Sequence, residues 1–122
     1  MKFLSAFTLV LVAFAAACSS GDDDEAGPAT LEAPMLMEIV PMEGALHLTW
    51  MNMQKDCDSV EAERKMEHST AYEAAFSVPG TADNKMDTAA TDNMMYMYRM
   101  RCRKGSAYSS YSNEMSANPH DI

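Results

Sequence analysis

From residue 34 onwards the sequence predicts an all-β domain, a sandwich or barrel of short strands that each bury one face. Turn-forming residues recur at close intervals, at positions 41–44, 52–58, Pro79-Gly80, Asp92-Asn93 and Lys104-Gly105, and regular punctuation of this kind separates the strands of sandwiches and barrels. Between the turns, apolar and polar residues alternate. Leu46, Leu48 and Trp50 alternate with His47 and Thr49; Val60 and Ala62 with Glu61 and Glu63; Tyr96, Tyr98, Met100 and Cys102 with Met97, Arg99 and Arg101. A period of two places each apolar set on one face of a strand.

The chain opens differently. Residues 1–17 hold one base, Lys2, an apolar run from Phe3 to Phe14, and then Ala15, Ala16 and Ala17. This is the build of a signal peptide. A membrane-spanning helix needs about 20 apolar residues; this run is shorter, and Ser19-Ser20-Gly21-Asp22 ends it. An ordinary secretory signal cut near Ala17 is one reading. However, Ala15-Ala16-Ala17-Cys18 also resembles the lipobox of bacterial lipoproteins, which prefers Leu where Ala15 stands, and this reading accounts for the placing of Cys18. The resemblance implies that Cys18 is the first mature residue and carries diacylglycerol and an N-acyl chain such as palmitate. Each buried CH₂ of such chains contributes about 0.8 kcal/mol, and more than one chain gives stable anchoring. It also implies a cell-envelope location at the outer membrane, because Ser19 rather than Asp follows the cysteine.

Residues 18–33 read as the lipidated cysteine and a flexible acidic linker. Asp22, Asp23, Asp24 and Glu25 stand in a row, and residues 19–30 contain nothing apolar larger than Ala. Such a segment cannot bury enough surface to offset its ordering entropy. A calcium loop is the alternative for the carboxylates, but the alternating ligands and closing Glu of an EF-hand are missing.

After cleavage about 105 residues remain, enough for one small domain. Loss of Lys2 leaves eight basic against eighteen acidic side chains, a net charge of −10. Nucleic-acid binders are basic, so that class is excluded. Anionic headgroups would repel the same surface, and the lipid at Cys18 is left as the link to the membrane. With Cys18 acylated, Cys57 and Cys102 remain. An even pair outside the cytoplasm reads as a disulfide, two unpaired buried thiols being the alternative.

Residues 55–75 are ambiguous. Glu, Ala, Lys and Met dominate them, and propensity alone allows an amphipathic helix. The sequence is nevertheless similar to fibronectin type III domains over residues 34–119. Pro34 precedes the strand ALHLTW at 45–50; Val60, Ala62 and Arg64 form an apolar-x-apolar-x-Arg strand. Tyr96, Tyr98, Arg99, Met100 and Cys102 follow the Tyr-x-Tyr-Arg-apolar-x-small pattern, and Gly105, Ser110, Tyr111 and Ser112 precede Pro119. Two positions depart from the family: Val60 stands where an aromatic is usual, and Lys85 where a Tyr is common two residues before Asp87.

The resemblance implies an immunoglobulin-like, seven-stranded β-sandwich at 34–119 with a short tail at 120–122, and a strand at 59–65. Its core would hold Leu46, Leu48, Trp50, Val60, Tyr96, Tyr98 and Met100. Trp50 would fill the space between the sheets, and Tyr96 would be the tyrosine-corner residue. The third and sixth strands become antiparallel neighbours, which puts Cys57 and Cys102 at one end of the sandwich within bridging reach.

No catalytic constellation is present. His47, His68 and His120 are scattered, and no Gly-x-Ser-x-Gly, His-Glu-x-x-His or phosphate loop occurs. Fibronectin type III domains are interaction and spacer modules, so the expected function is a lipid-anchored, non-enzymatic binding or scaffolding module. It would need no cofactor, and its partner would be an envelope protein or polysaccharide. Arg99, Arg101, Arg103 and Lys104 would either meet an anionic partner or pair with Glu61 and Glu63 across the neighbouring strand. The alternative function rests on thirteen methionines. Met35/Met37, Met51/Met53 and Met95/Met97 are spaced by two, and His47, Met51 and Met53 would share a strand face. Thioether and imidazole suit copper(I), and thioethers also consume oxidants; against both, Met serves as an adaptable core filler.

Overall fold

The computed structural model describes residues 30–121. The expected signal peptide, Cys18 and most of the expected linker lie outside the described residues. Eight strands follow in order: β1 (Met35–Met42), β2 (Ala45–Met51), β3 (Ser59–Met66), β4 (Glu73–Pro79), β5 (Asn84–Asp87), β6 (Tyr96–Lys104), β7 (Ala107–Tyr108) and β8 (Met115–Ala117). They form two antiparallel sheets. One has the order β1-β2-β5; the other has the order β4-β3-β6-β7, with β8 also on β6. The stretch that composition left open between helix and strand is strand, because Val60 and Ala62 are buried while Glu61 and Glu63 face outward.

The seventh strand of the expected sandwich is split into β7 and β8. Between them residues 109–114 run beside β6 without strand geometry, and serine side chains complete the hydrogen bonding. Ser109 and Ser112 donate their N–H groups to the carbonyls of Cys102 and Met100 at 2.9 and 2.7 Å. Their hydroxyls accept the N–H groups of the same two residues at 2.8 and 2.9 Å. The next residue ties the sheets together: the Asn113 amide accepts from Leu36 N–H and donates to Leu36 C=O, both at 2.9 Å. This occupies part of the outer edge of β1.

Leu36, Leu46, Leu48, Trp50, Val60, Ala62, Tyr96, Tyr98 and Met100 fill the space between the sheets. The Trp50 ring lies 6.2 Å from that of Phe76 on β4, and its Nε1 donates to Asn52 at 3.1 Å. Tyr96 Oη accepts the N–H of Asp92 at 3.0 Å, which fixes the entry into β6. The β1–β2 hairpin turns through Glu43 and Gly44, both at positive φ, as a type I′ turn requires. Cys57 and Cys102 are bridged, with Cα atoms 5.7 Å apart and 45 residues of separation. A loop that long corresponds to about 4 kcal/mol on the chain-entropy account.

The compact unit starts at Leu31. Leu31 and Ala33 are half-buried, and Glu32 N–H donates to Gln54 at 2.9 Å. At the other end His120, assigned to the tail, contacts Thr91 C=O through Nε2 at 2.7 Å.

A candidate binding face

The outer face of the larger sheet carries a ladder of alternating tyrosine and arginine. Arg99 and Arg101 point outward from β6 because Tyr98, Met100 and Cys102 point inward. Tyr72 comes from the loop before β4, Tyr108 from β7, and Tyr111 from the serine-tethered segment. The Arg99 guanidinium lies 4.0 Å from the Tyr72 ring centre and 3.7 Å from that of Tyr111. Arg101 lies 3.8 Å from Tyr108 and 5.1 Å from Tyr111. Stacking on aromatic faces suits the flat guanidinium better than a lysine ammonium.

Carboxylates of β3 neutralise the ladder from the other side. Arg99 Nη2 and Glu63 Oε1 are 2.8 Å apart; Arg101 and Arg103 reach Glu61 at 3.6 and 3.4 Å. The pairing follows from register, since β3 sets Glu63 opposite Arg99 and Glu61 opposite Arg101. Tyr111 Oη donates to Glu63 at 2.9 Å. Lys104 pairs with Asp56 at one end of the ladder, and Lys65 lies 5.1 Å from the Tyr72 ring centre at the other. Of the two outcomes open for the arginine cluster, pairing within the sheet is the one observed. Burial works against the charge on Arg99, but the bond to Glu63 and the charge of that carboxylate, with the nearby phenols, together hold the guanidinium above its ordinary value. Arg101 Nε is buried without a hydrogen-bond partner. Beside the ladder a groove of about 360 Å³ runs over Ala74, Ala75 and Ser77 of β4, walled by Glu61, Glu63 and Arg101.

A second polar cluster lies inside. Asp87 is only 5% exposed. Its Oδ2 accepts from Arg64 Nη1 and from Tyr98 Oη, both at 2.5 Å, and Oδ1 accepts Ala89 N–H at 3.1 Å. All three residues are held by packed strands and their polar groups by one another, which marks a structural knot rather than a reactive centre. Among the described residues no three or more His, Cys, Asp or Glu side chains converge to hold a metal ion.

The metal candidates His47, Met51 and Met53 separate. His47 Nε2 meets Asn84 Oδ1 at 3.3 Å. Met51 is four residues further along β2, roughly 13 Å at the rise of a strand, so one ion cannot join His47 to Met51 and Met53. The methionines themselves gather elsewhere: Met51 stands opposite Met35 across the β1–β2 pair.

Of the ladder's tyrosines only Tyr111 falls in a pattern noted in the sequence, the closing segment, and nothing there gave it a place between arginines; Tyr72 and Tyr108 fall in none. The readable signal is the run Arg99, Arg101, Arg103 at period two, with Tyr108 and Tyr111 just beyond the next turn.

Solved structures share this architecture. The fold is that of fibronectin type III domains. A Fn3-like protein from Clostridium thermocellum superposes with a TM-score of 0.62 at 19% identity, covering 72% of this chain and 92% of that one. A β-1,2-glucanase from Parabacteroides distasonis gives 0.67 at 17% identity, over 77% of this chain and 13% of the enzyme. A pectate lyase from Erwinia chrysanthemi in complex with tetragalacturonic acid gives 0.60 at 15% identity, over 70% and 28%. This chain therefore matches only a small part of either enzyme. No protein-family model matches the sequence, and no curated protein matches it.

Proposed function

We propose that this chain is a lipid-anchored protein of the cell envelope, held at the outer membrane through Cys18, whose sandwich is a non-catalytic binding and scaffolding module. The observation that carries the reading is the arginine–tyrosine ladder. It is an outward surface on which guanidinium, phenol and carboxylate groups are ordered by one another beside a shallow groove. Ordered polar groups flanking a small apolar floor suit recognition of a polymer chain or a protein loop. The partner in this reading is an envelope protein or a polysaccharide. The acidic residues 22–25 act as a solvated spacer between lipid and domain.

Amine cross-linking on intact cells tests the reading, because Lys65 and Lys104 flank the ladder. A tagged chain should recover a reproducible partner through those lysines, and Arg101→Ala with Tyr108→Ala should lose it. Recovery of the chain alone would reject a binding module. Cys18→Ser should move the protein out of the membrane fraction; retention there would reject the lipid anchor.

A further inference from the structure

The methionines are partitioned in a way that core filling does not explain. Of the thirteen, only Met1 lies outside the described residues. Among the described residues, Leu, Ile, Val and Phe side chains are all buried or half-buried, whereas Met35, Met37, Met42, Met51, Met53, Met66 and Met95 are exposed. Met100 alone is fully buried. If Met merely replaced the branched aliphatics, it would be spread through the core as they are. Here seven of the twelve described methionines face solvent.

Four of them gather at one end of the smaller sheet. Met35 on β1 and Met51 on β2 are directly opposite, and because their neighbours Leu36 and Trp50 point inward, both face outward. Facing residues of an antiparallel pair have Cβ atoms about 5 Å apart, close enough for two three-bond side chains to meet at one atom. The register then slips between Leu36 and Glu38. The extra residue is Met37, which lines a groove with Met51. Met53, beyond the end of β2, lines a hollow with Met35. The four are 46%, 49%, 47% and 40% exposed, in the order Met35, Met37, Met51, Met53. The charged residues lining the groove of Met37 and Met51 are Glu38, Asp83 and Lys55, two acids against one base, and the whole chain carries −9, so the charge there does not repel a cation overall.

We propose that Met35, Met37, Met51 and Met53 form a binding site for a soft monovalent cation, copper(I) or its analogue silver(I). Neutral thioethers bind soft d¹⁰ ions and discriminate against zinc, calcium and magnesium, which favour nitrogen or oxygen. His47 takes no part, being too far along β2. Met66, Met95 and Met97 line a second hollow, but Lys65 lines it with them; Met66 faces Tyr96 and Met97 faces Lys65, so no two of these thioethers are cross-strand partners and an ammonium stands where the cation would sit.

Silver(I) titration of the full chain carrying Cys18→Ser tests the site. Silver does not require the reductant that would open the Cys57–Cys102 bridge, and the substitution removes the third cysteine. We expect about one equivalent bound, with affinity steady between about pH 5 and pH 8, since thioethers do not titrate there and imidazole does. Met35→Leu with Met51→Leu should weaken binding at least about tenfold. Met37→Leu with Met53→Leu should weaken it too, and Met66→Leu with Met95→Leu should leave it unchanged. Near-ultraviolet circular dichroism of each variant reports the fold, and these exposed, similar-sized replacements should preserve it. Binding no tighter than micromolar would overturn the proposal. So would equal losses in all three pairs, or binding that falls away as imidazole protonates.

Discussion

A Cβ built on Gly80 would lie 1.9 Å from the carbonyl oxygen of Cys57. That oxygen is backbone, held next to a disulfide, and cannot swing aside. Gly44 and Gly105 differ: both have positive φ, yet nothing lies within 4 Å of an added Cβ. Gly80→Ala should therefore lower stability by about 3 kcal/mol through forced overlap, and Gly44→Ala or Gly105→Ala by about 1–2 kcal/mol through backbone strain. Urea midpoints at constant slope measure this; equal losses at the three sites would contradict it. The buried phenols give a pH signature. Burial first, then the bond to Asp87, pushes Tyr98 far above its ordinary 10.0. Burial, then the approach of Glu114, pushes Tyr72 up to about 12. An acid whose folded pKa is raised favours the folded state only while it stays protonated. The contribution is complete below the unfolded value near 10 and lost as pH rises through about 12. The urea midpoint should fall between about pH 9 and pH 11.5, with phenolate absorbance rising as the protein unfolds. All five tyrosines titrating near pH 10 in the folded protein would refute this.

At the scale of elements, β2, β3 and β6 were legible because each alternates apolar and polar residues against a one-sided core. The helical composition around β3 yielded to packing: Val60 and Ala62 complete the core only at strand spacing. What the sequence hid depends on register and on side chains replacing backbone. The meeting of Glu63 with Arg99 needs the β3–β6 pairing, and no local pattern announces Tyr72 as its neighbour. The split of the last strand was equally hidden, since Ser109 and Ser112 read as ordinary loop serines. Their hydroxyls receive the N–H groups of Cys102 and Met100 at 2.8 and 2.9 Å. Ser109→Ala with Ser112→Ala leaves those donors without partners, each worth about 1–3 kcal/mol. Amide exchange at Met100 and Cys102 should accelerate selectively and Tyr111 should lose its place between the arginines. Unchanged exchange at both amides would show that the backbone bonds from 109 and 112 suffice.

For the molecule as a whole, the contrast between seven exposed methionines and a fully buried Met100 makes oxidation a test of the fold's integrity. A peroxide transfers one oxygen to the sulfur of Met and leaves as water, turning a flexible apolar side chain into a polar one. In a core this disrupts packing; on the surface it adds polarity where water already is. Dilute hydrogen peroxide should therefore convert Met35, Met37, Met42, Met51, Met53, Met66 and Met95 first, while Met100, fully buried beneath the ladder, stays reduced. The sandwich should keep its near-ultraviolet dichroism throughout. Peptide mass spectrometry over time resolves the order. The same treatment should abolish silver(I) binding, because the sulfoxide oxygen is a hard donor, and methionine sulfoxide reductase should restore it. If Met100 oxidises as fast as Met35, the sheets open on the timescale of the reaction, and the exposed thioethers cannot be a surface chemistry separable from the core.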